Sequence, residues 1–184
     1  MSWSKLETVE SWQNNVMTLT ISNNRLLAGH NNGMHVSDDS GKTWINVLSE
    51  RSVSRIEKYG DILYACGGQL DILQGTSKCL IFRSLDNGNS WEENNNELIQ
   101  VPSNRLYVYN GNIFLNVDLK VFRAELNVDN WSAVQWIDES PLHGFHSKVS
   151  GLVVFNGKLY ASTSANGLYV TDLDDLTSVD EKKN

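Results

Sequence analysis

The segment Ser37-Asp38-Asp39-Ser40-Gly41-Lys42-Thr43-Trp44 returns almost intact as Ser84-Leu85-Asp86-Asn87-Gly88-Asn89-Ser90-Trp91. Both read S-x-D-x-G-x-[ST]-W, and the two tryptophans stand 47 residues apart. The residue types describe a turn. A carboxylate at Asp39 or Asp86 accepts backbone N–H groups and locks a tight loop, with Ser37, Thr43, Ser84 and Ser90 as its hydroxyl neighbours. Gly41 and Gly88 take positive φ at no steric cost. Trp44 and Trp91 are then expected to bury a large aromatic surface against a neighbouring sheet.

Working outward, two apolar runs joined by a short turn precede each motif. The first unit has Val16 to Ile21, Asn23-Asn24, then Arg25 to Ala28. The second has Val53 to Lys58, Tyr59-Gly60, then Ile62 to Cys66. The pattern recurs twice more without the full motif, as Leu106 to Tyr109 with Asn110-Gly111, and Leu152 to Phe155 with Asn156-Gly157. Asn-Gly between apolar runs is a strong hairpin cue, and nothing sustains a helical period. The third unit keeps an apolar strand and a tryptophan, Phe122 to Trp131, with Arg123-Ala124-Glu125-Leu126-Asn127 where the Ser-Asp-Gly core would be. The fourth, Leu168 to Asp175, keeps a strand and an acidic turn and has no tryptophan. Each unit reads as an antiparallel meander of strands a, b, c and d. The four fall at about 16–48, 53–95, 105–136 and 148–180 of one domain spanning 1–184. Repeats of about 40 to 50 residues match propeller blades in size.

The two motifs resemble the Asp box, or bacterial neuraminidase repeat, of sialidases, sortilin-type domains and many other propellers. The resemblance implies an all-β fold: a small β-propeller of about four four-stranded antiparallel blades. Ser2-Trp3-Ser4-Lys5-Leu6 looks like a strand d without its own a, b and c, and is expected to complete the last blade and close the ring. Leu176 to Asp180 is the alternative for that strand. A second alternative is half of an eight-bladed ring, completed by another chain. A monomer is expected first, with a homodimer as the alternative.

Composition narrows the partners. The chain has 184 residues, 15 Lys and Arg against 22 Asp and Glu, and a net charge of −7. The cations are scattered, so neither nucleic acid nor an anionic membrane surface is an expected partner. No secretory leader or membrane span is legible. As a complete chain it is expected in the cytoplasm; as a domain cut from a secreted protein, outside the cell. Cys66 and Cys79 bracket a hairpin and are expected to be two small buried residues, with a bond across adjacent strands as the other reading.

In the propeller family, the b–c and d–a connections form the usual binding face and the c–d turns lie opposite. The resemblance therefore makes Asp39 and Asp86 scaffold rather than catalytic residues. Rigid scaffolds display their binding residues on loops. Candidate ligand-binding residues are His30 and Asn31 on Gly29-His30-Asn31-Asn32-Gly33, and Gln69 and Asp71, with Gln74, on a long Gly67 to Lys78 loop. Trp136, His143 and His146 lie on or near the Ile137 to Ser147 connection. His143 and His146 lack a third ligand at metal spacing, so no metal or cofactor is expected. Leu70, Ile72 and Leu73 form an apolar run at the tip of the long loop, and Trp12 lies near another connection.

Three functions fit. The first is a non-catalytic binding module for a protein or a glycan. The second is a glycosidase related to Asp-box sialidases. Such enzymes use an Arg-Ile-Pro-type motif, an arginine triad and a Tyr–Glu pair. Here Ser54-Arg55-Ile56-Glu57 lacks the proline, and the arginines are only 25, 51, 55, 83, 105 and 123. The third is a half-ring that assembles into a larger propeller.

Overall fold

The structure is a computed structural model; it describes residues 1, 2, 4, 15–71, 76–94, 105–126, 129, 131, 134–141 and 145–174. Strands β1 (Val16–Ser22), β2 (Arg25–His30), β3 (Gly33–Ser37) and β4 (Ile45–Ser49) form the first sheet. The second contains β5 (Ser52–Tyr59), β6 (Ile62–Asp71), β7 (Thr76–Ser84) and β8 (Glu92–Glu93). The third contains β9 (Arg105–Tyr109), β10 (Asn112–Val117), β11 (Lys120–Glu125) and β12 (Ile137–Asp138). The fourth has three strands, β13 (Val149–Phe155), β14 (Lys158–Thr163) and β15 (Leu168–Asp172). All pairing is antiparallel between strands consecutive in sequence. The fold is all-β, four meanders in series.

The hairpin turns follow from residue chemistry. Asn23-Asn24, Asn110-Gly111 and Asn156-Gly157 all have positive φ at both positions. That is the mirror-image turn whose twist matches paired strands, and asparagine and glycine tolerate it best. A bulge near the start of the first strand recurs at Met17, Ser54 and Ser150. At two of the three the serine hydroxyl donates to a carbonyl of the next strand, Ser54 to Cys66 at 3.2 Å and Ser150 to Ser162 at 3.3 Å.

The core lies between sheets. Leu27, Met34 and Val36 of the first sheet pack on Ile56, Leu63, Ala65 and Phe82 of the second. Tyr64, Cys66 and Ile81, on the other face of the second, pack on Leu106, Ile113, Leu115 and Phe122 of the third. Phe114 and Val121 of the third meet Val154, Leu159 and Ala161 of the fourth, with Phe145 between. Burying such side chains contributes about 1.5–3 kcal/mol each. The first strands β1, β5, β9 and β13 lie against one another in chain order. Among the described residues β13 makes no contact with β1 comparable to these.

Two expectations need correction, and a third, that the cysteines are two small buried residues, holds. The Gly67 to Lys78 stretch is largely not a loop: β6 and β7 remain paired to Asp71↔Thr76. Trp131 is not on the fourth strand of its sheet, which is Ile137–Asp138. It inserts instead between the second and third sheets, 4 % exposed, with its indole N–H donating to the Glu92 carbonyl at 3.2 Å. Cys66 and Cys79 are both free and buried; Cys66 sits opposite Ile81 and Cys79 opposite Gly68, two rungs apart. Trp3, Lys5 and Leu6 of the expected closing strand, Leu176 to Asp180, Trp12, Ile72, Leu73, Gln74 and His143 lie outside the described residues.

Candidate functional site

An antiparallel meander places its a–b and c–d turns at one end of each sheet and its b–c and d–a connections at the other. The two tryptophan turns lie at the first end and are copies of one another. Ser40 and Gly41 have φ of 63° and 86°; Asn87 and Gly88 have 59° and 85°. Ser37 Oγ donates to Asp39 Oδ1 at 2.8 Å and accepts from Gly41 N–H at 2.8 Å. Asp39 also accepts from Thr43 N–H at 2.8 Å and from the Thr43 hydroxyl at 2.6 Å. Ser84, Asp86, Gly88 and Ser90 repeat the set at 2.9, 2.8, 2.9 and 2.6 Å. These bonds hold the Asp39 carboxyl near 2, below its ordinary 3.8, with the Thr43 hydroxyl and Thr43 N–H as main causes. Partial burial opposes the same shift at Asp86, but the Ser90 hydroxyl, Ser90 N–H and Ser84 hydroxyl together lower it too. Both carboxylates are consumed by turn geometry.

The tryptophans differ. Trp44 is half-buried and donates to the Gly41 carbonyl at 3.0 Å. Trp91 packs on the core between the first two sheets. Arg25 joins the turns: Nε and Nη2 each reach Asp38 at 2.7 Å, while Nη1 reaches Asn89 Oδ1 at 2.6 Å. This fork geometry suits arginine and not lysine.

The opposite end carries the expected ligand contacts, and the structure separates them. Asn31 is exposed in the β2–β3 turn. His30 is not exposed with it: it is 2 % exposed, with Nε2 3.0 Å from His35 Nδ1. Because Asn32 N–H donates to His30 Nδ1 at 3.2 Å, the network assigns the His30 proton to Nε2, which donates to His35. Burial, reinforced by His35, lowers the His30 pKa. The glycine- and asparagine-rich surroundings concealed a cross-strand pair.

Gln69 and Asp71 lie on the long β6–β7 hairpin. The neighbouring hairpins close at His30↔Gly33 and Val117↔Lys120, whose counterpart here is Gly67↔Leu80. Gly68↔Cys79, Gln69↔Lys78, Leu70↔Ser77 and Asp71↔Thr76 continue beyond it. At about 3.3 Å per residue the arm projects about 13 Å past its neighbours. Gln69 is half-buried and Lys78 exposed.

Of the remaining candidates, His146 is exposed, whereas Trp136 is partly buried against the core between the second and third sheets. Asp138 accepts from Lys120 at 2.7 Å and from Ser140. Glu139 is paired with Arg123 Nε at 3.0 Å, both nearly buried. Glu139 and Ser140 border a cleft of about 400 Å³ between the third and fourth sheets, lined also by Val121, Phe145, Tyr169 and Thr171. Sequence reading missed it because its walls come from two repeats. The six arginines do not converge. Arg25 holds Asp38, Arg51 Glu93, Arg55 Glu57, Arg83 Glu92 and Arg123 Glu139, while Arg105 donates to the Ser150 carbonyl. Among the described residues no cluster of three or more His, Cys, Asp or Glu is placed to hold a metal ion, and no helix is long and apolar enough to cross a membrane.

No protein-family model and no curated protein matches the chain. Solved structures do match in fold. The computationally designed Ika8 protein is 15% identical with a TM-score of 0.59 over 85% of this chain, which spans only 45% of Ika8. The computationally designed Ika4 protein is 15% identical with a TM-score of 0.63, over 93% of this chain and 99% of Ika4. PorZ, a bacterial surface component of the type-IX secretion system of Porphyromonas gingivalis, is 16% identical with a TM-score of 0.64, over 95% of this chain and 28% of PorZ. At these identities the likeness speaks for the fold.

Proposed function

We propose that this chain is a propeller-type scaffold built on Asp boxes, and that it works as a non-catalytic binding module for a protein or a glycan. The observation that carries this reading is the β6–β7 arm, which extends four rungs past the hairpins beside it, at the end remote from the two tryptophan turns. A projecting hairpin on a rigid sheet stack offers backbone and side-chain contacts at little ordering cost. The exposed Asn31 turn lies at the same end and extends that surface. The Asp-box assignment is supported by the matched hydrogen bonds of the two turns. Those bonds also engage the carboxylates that most resemble an enzyme signature.

Glycan-array screening and co-purification identify the ligand. Replacing residues 70–77 by Asn-Gly then shortens the arm, and is expected to abolish capture while leaving the thermal midpoint nearly unchanged. No capture by the intact chain in either screen, or capture indifferent to the shortened arm, overturns the reading.

A further inference from the structure

The three sheet–sheet contacts share one rule. Each sheet presents one face, carrying alternate residues of its first two strands, to the sheet before it, and the opposite face to the sheet after it. Counting from the a–b turn places the residues in register. On the leading face, Leu19 stands where Ile56 and Leu106 stand in the second and third sheets. Ile56 and Leu106 are 3 % and 2 % exposed; on the first sheet Leu19 is 64 % and Ile21 66 % exposed, the bare part of a face whose Ala28, His30 and His35 are buried. On the trailing face, Leu168 stands where Met34, Ile81 and Val121 stand. Those three are buried, whereas Leu168 is 66 % exposed and Val170 next to it 55 %. Val153 and Phe155 extend the same bare face. Its one charged rung, Lys158 with Asp172, is paired within the sheet.

Leu19 and Ile21 on a leading face and Leu168 and Val170 on a trailing face are thus apolar pairs without the sheet-to-sheet cover their counterparts have. Among the described residues β1 and β13 share no contact like those of β1 with β5, β5 with β9, or β9 with β13. We propose that a second copy of this chain covers both faces. Leu168 and Val170 of each copy pack on Leu19 and Ile21 of the other, and two such contacts close a two-fold ring of eight sheets. A repeated head-to-tail contact that returns on itself leaves no face open. This inference is independent of the ligand reading, because the arm projects along the strands and the contact uses sheet faces.

Light scattering on the eluting full chain, over a hundredfold range of loading, is expected to give twice the 20.7 kDa chain mass. Leu168→Asp and Leu19→Asp are each expected to reduce it to one chain mass with an unchanged far-ultraviolet spectrum. Leu85→Asp, at an exposed position on the second tryptophan turn, should leave the pair intact. Cross-linking provides a test that does not depend on how the aspartate variants fold. Differently tagged Leu19→Cys and Leu168→Cys chains, mixed and treated with a short bis-maleimide, should join to each other, and neither should join to its own kind. A single chain mass at every loading overturns the proposal. So does a pair that survives both aspartate substitutions, or a cross-link between like variants.

Discussion

At the residue scale, the turn serines matter more than their size suggests. Ser37 and Ser84 are buried, and each is the acceptor for the buried N–H of Gly41 or Gly88. Removing the hydroxyl leaves that donor unpaired, so Ser37→Ala and Ser84→Ala should each cost about 1–3 kcal/mol in urea unfolding. Acid acts on two neighbouring features in sequence. His30 is buried neutral with its pKa lowered from 6.5, so the unfolded chain binds protons first and stability falls as pH drops below about 6.5. Asp39 is depressed from 3.8 to about 2, so its contribution is complete above 3.8 and is lost as pH falls through about 2. Thermal midpoints between pH 7 and 5 should slope less in His30→Gln than in the parent, and those between pH 4 and 2 less in Asp39→Asn. The turn chemistry was legible in the sequence because its bonds span only two to four residues. The His30–His35 bond was not, since it crosses two strands of a hairpin and burial depends on what covers it.

At the element scale, the hairpins announced by Asn-Gly and Asn-Asn turns could be read directly, because those residues meet a backbone requirement. The fourth strands could not. Trp131 matched Trp44 and Trp91 in type but not in context, for its turn lacks the Ser-Asp-Gly core that would aim it. It stacks instead near Tyr64, ring centroids 5.6 Å apart, under the Arg83 guanidinium at 5.4 Å. Trp131→Ala should therefore cost about 3–5 kcal/mol, as large-to-small changes in packed cores do, measured by chemical denaturation. The length of the β6–β7 arm was equally hidden. Glycine at 67 and 68 suggests a loop, yet a Cβ on Gly67 would meet the Ser52 carbonyl oxygen at 1.8 Å. That glycine is there for close strand approach rather than for a turn.

At the scale of the whole molecule, each sheet packs mainly on its neighbours, so stability should grade along the series as it does in repeat proteins. The central strand β6 pairs on both sides, whereas β15 is bare along one edge among the described residues. Hydrogen exchange should accordingly release β15 amides well before those of β6. Equal protection would place a further strand against β15, the role expected of Ser2 to Leu6 or of Leu176 to Asp180. The four-unit organisation was visible from spacing alone, while the relation of the first sheet to the fourth was not, because a repeat pattern does not encode the angle accumulated from sheet to sheet.

That accumulated angle decides between two fates for the bare ends. Unlike faces at opposite ends of one molecule act as a plug and a socket. If the rotation from sheet to sheet is a simple fraction of a full turn, assembly stops at a finite number of copies. If a mutation in any of the three interior contacts changes it slightly, the same plug and socket continue without end and the product is a fibre. Substitutions far from Leu19 and Leu168, at core positions such as Val36 or Ile113, would then appear as turbidity or viscosity rather than as loss of fold.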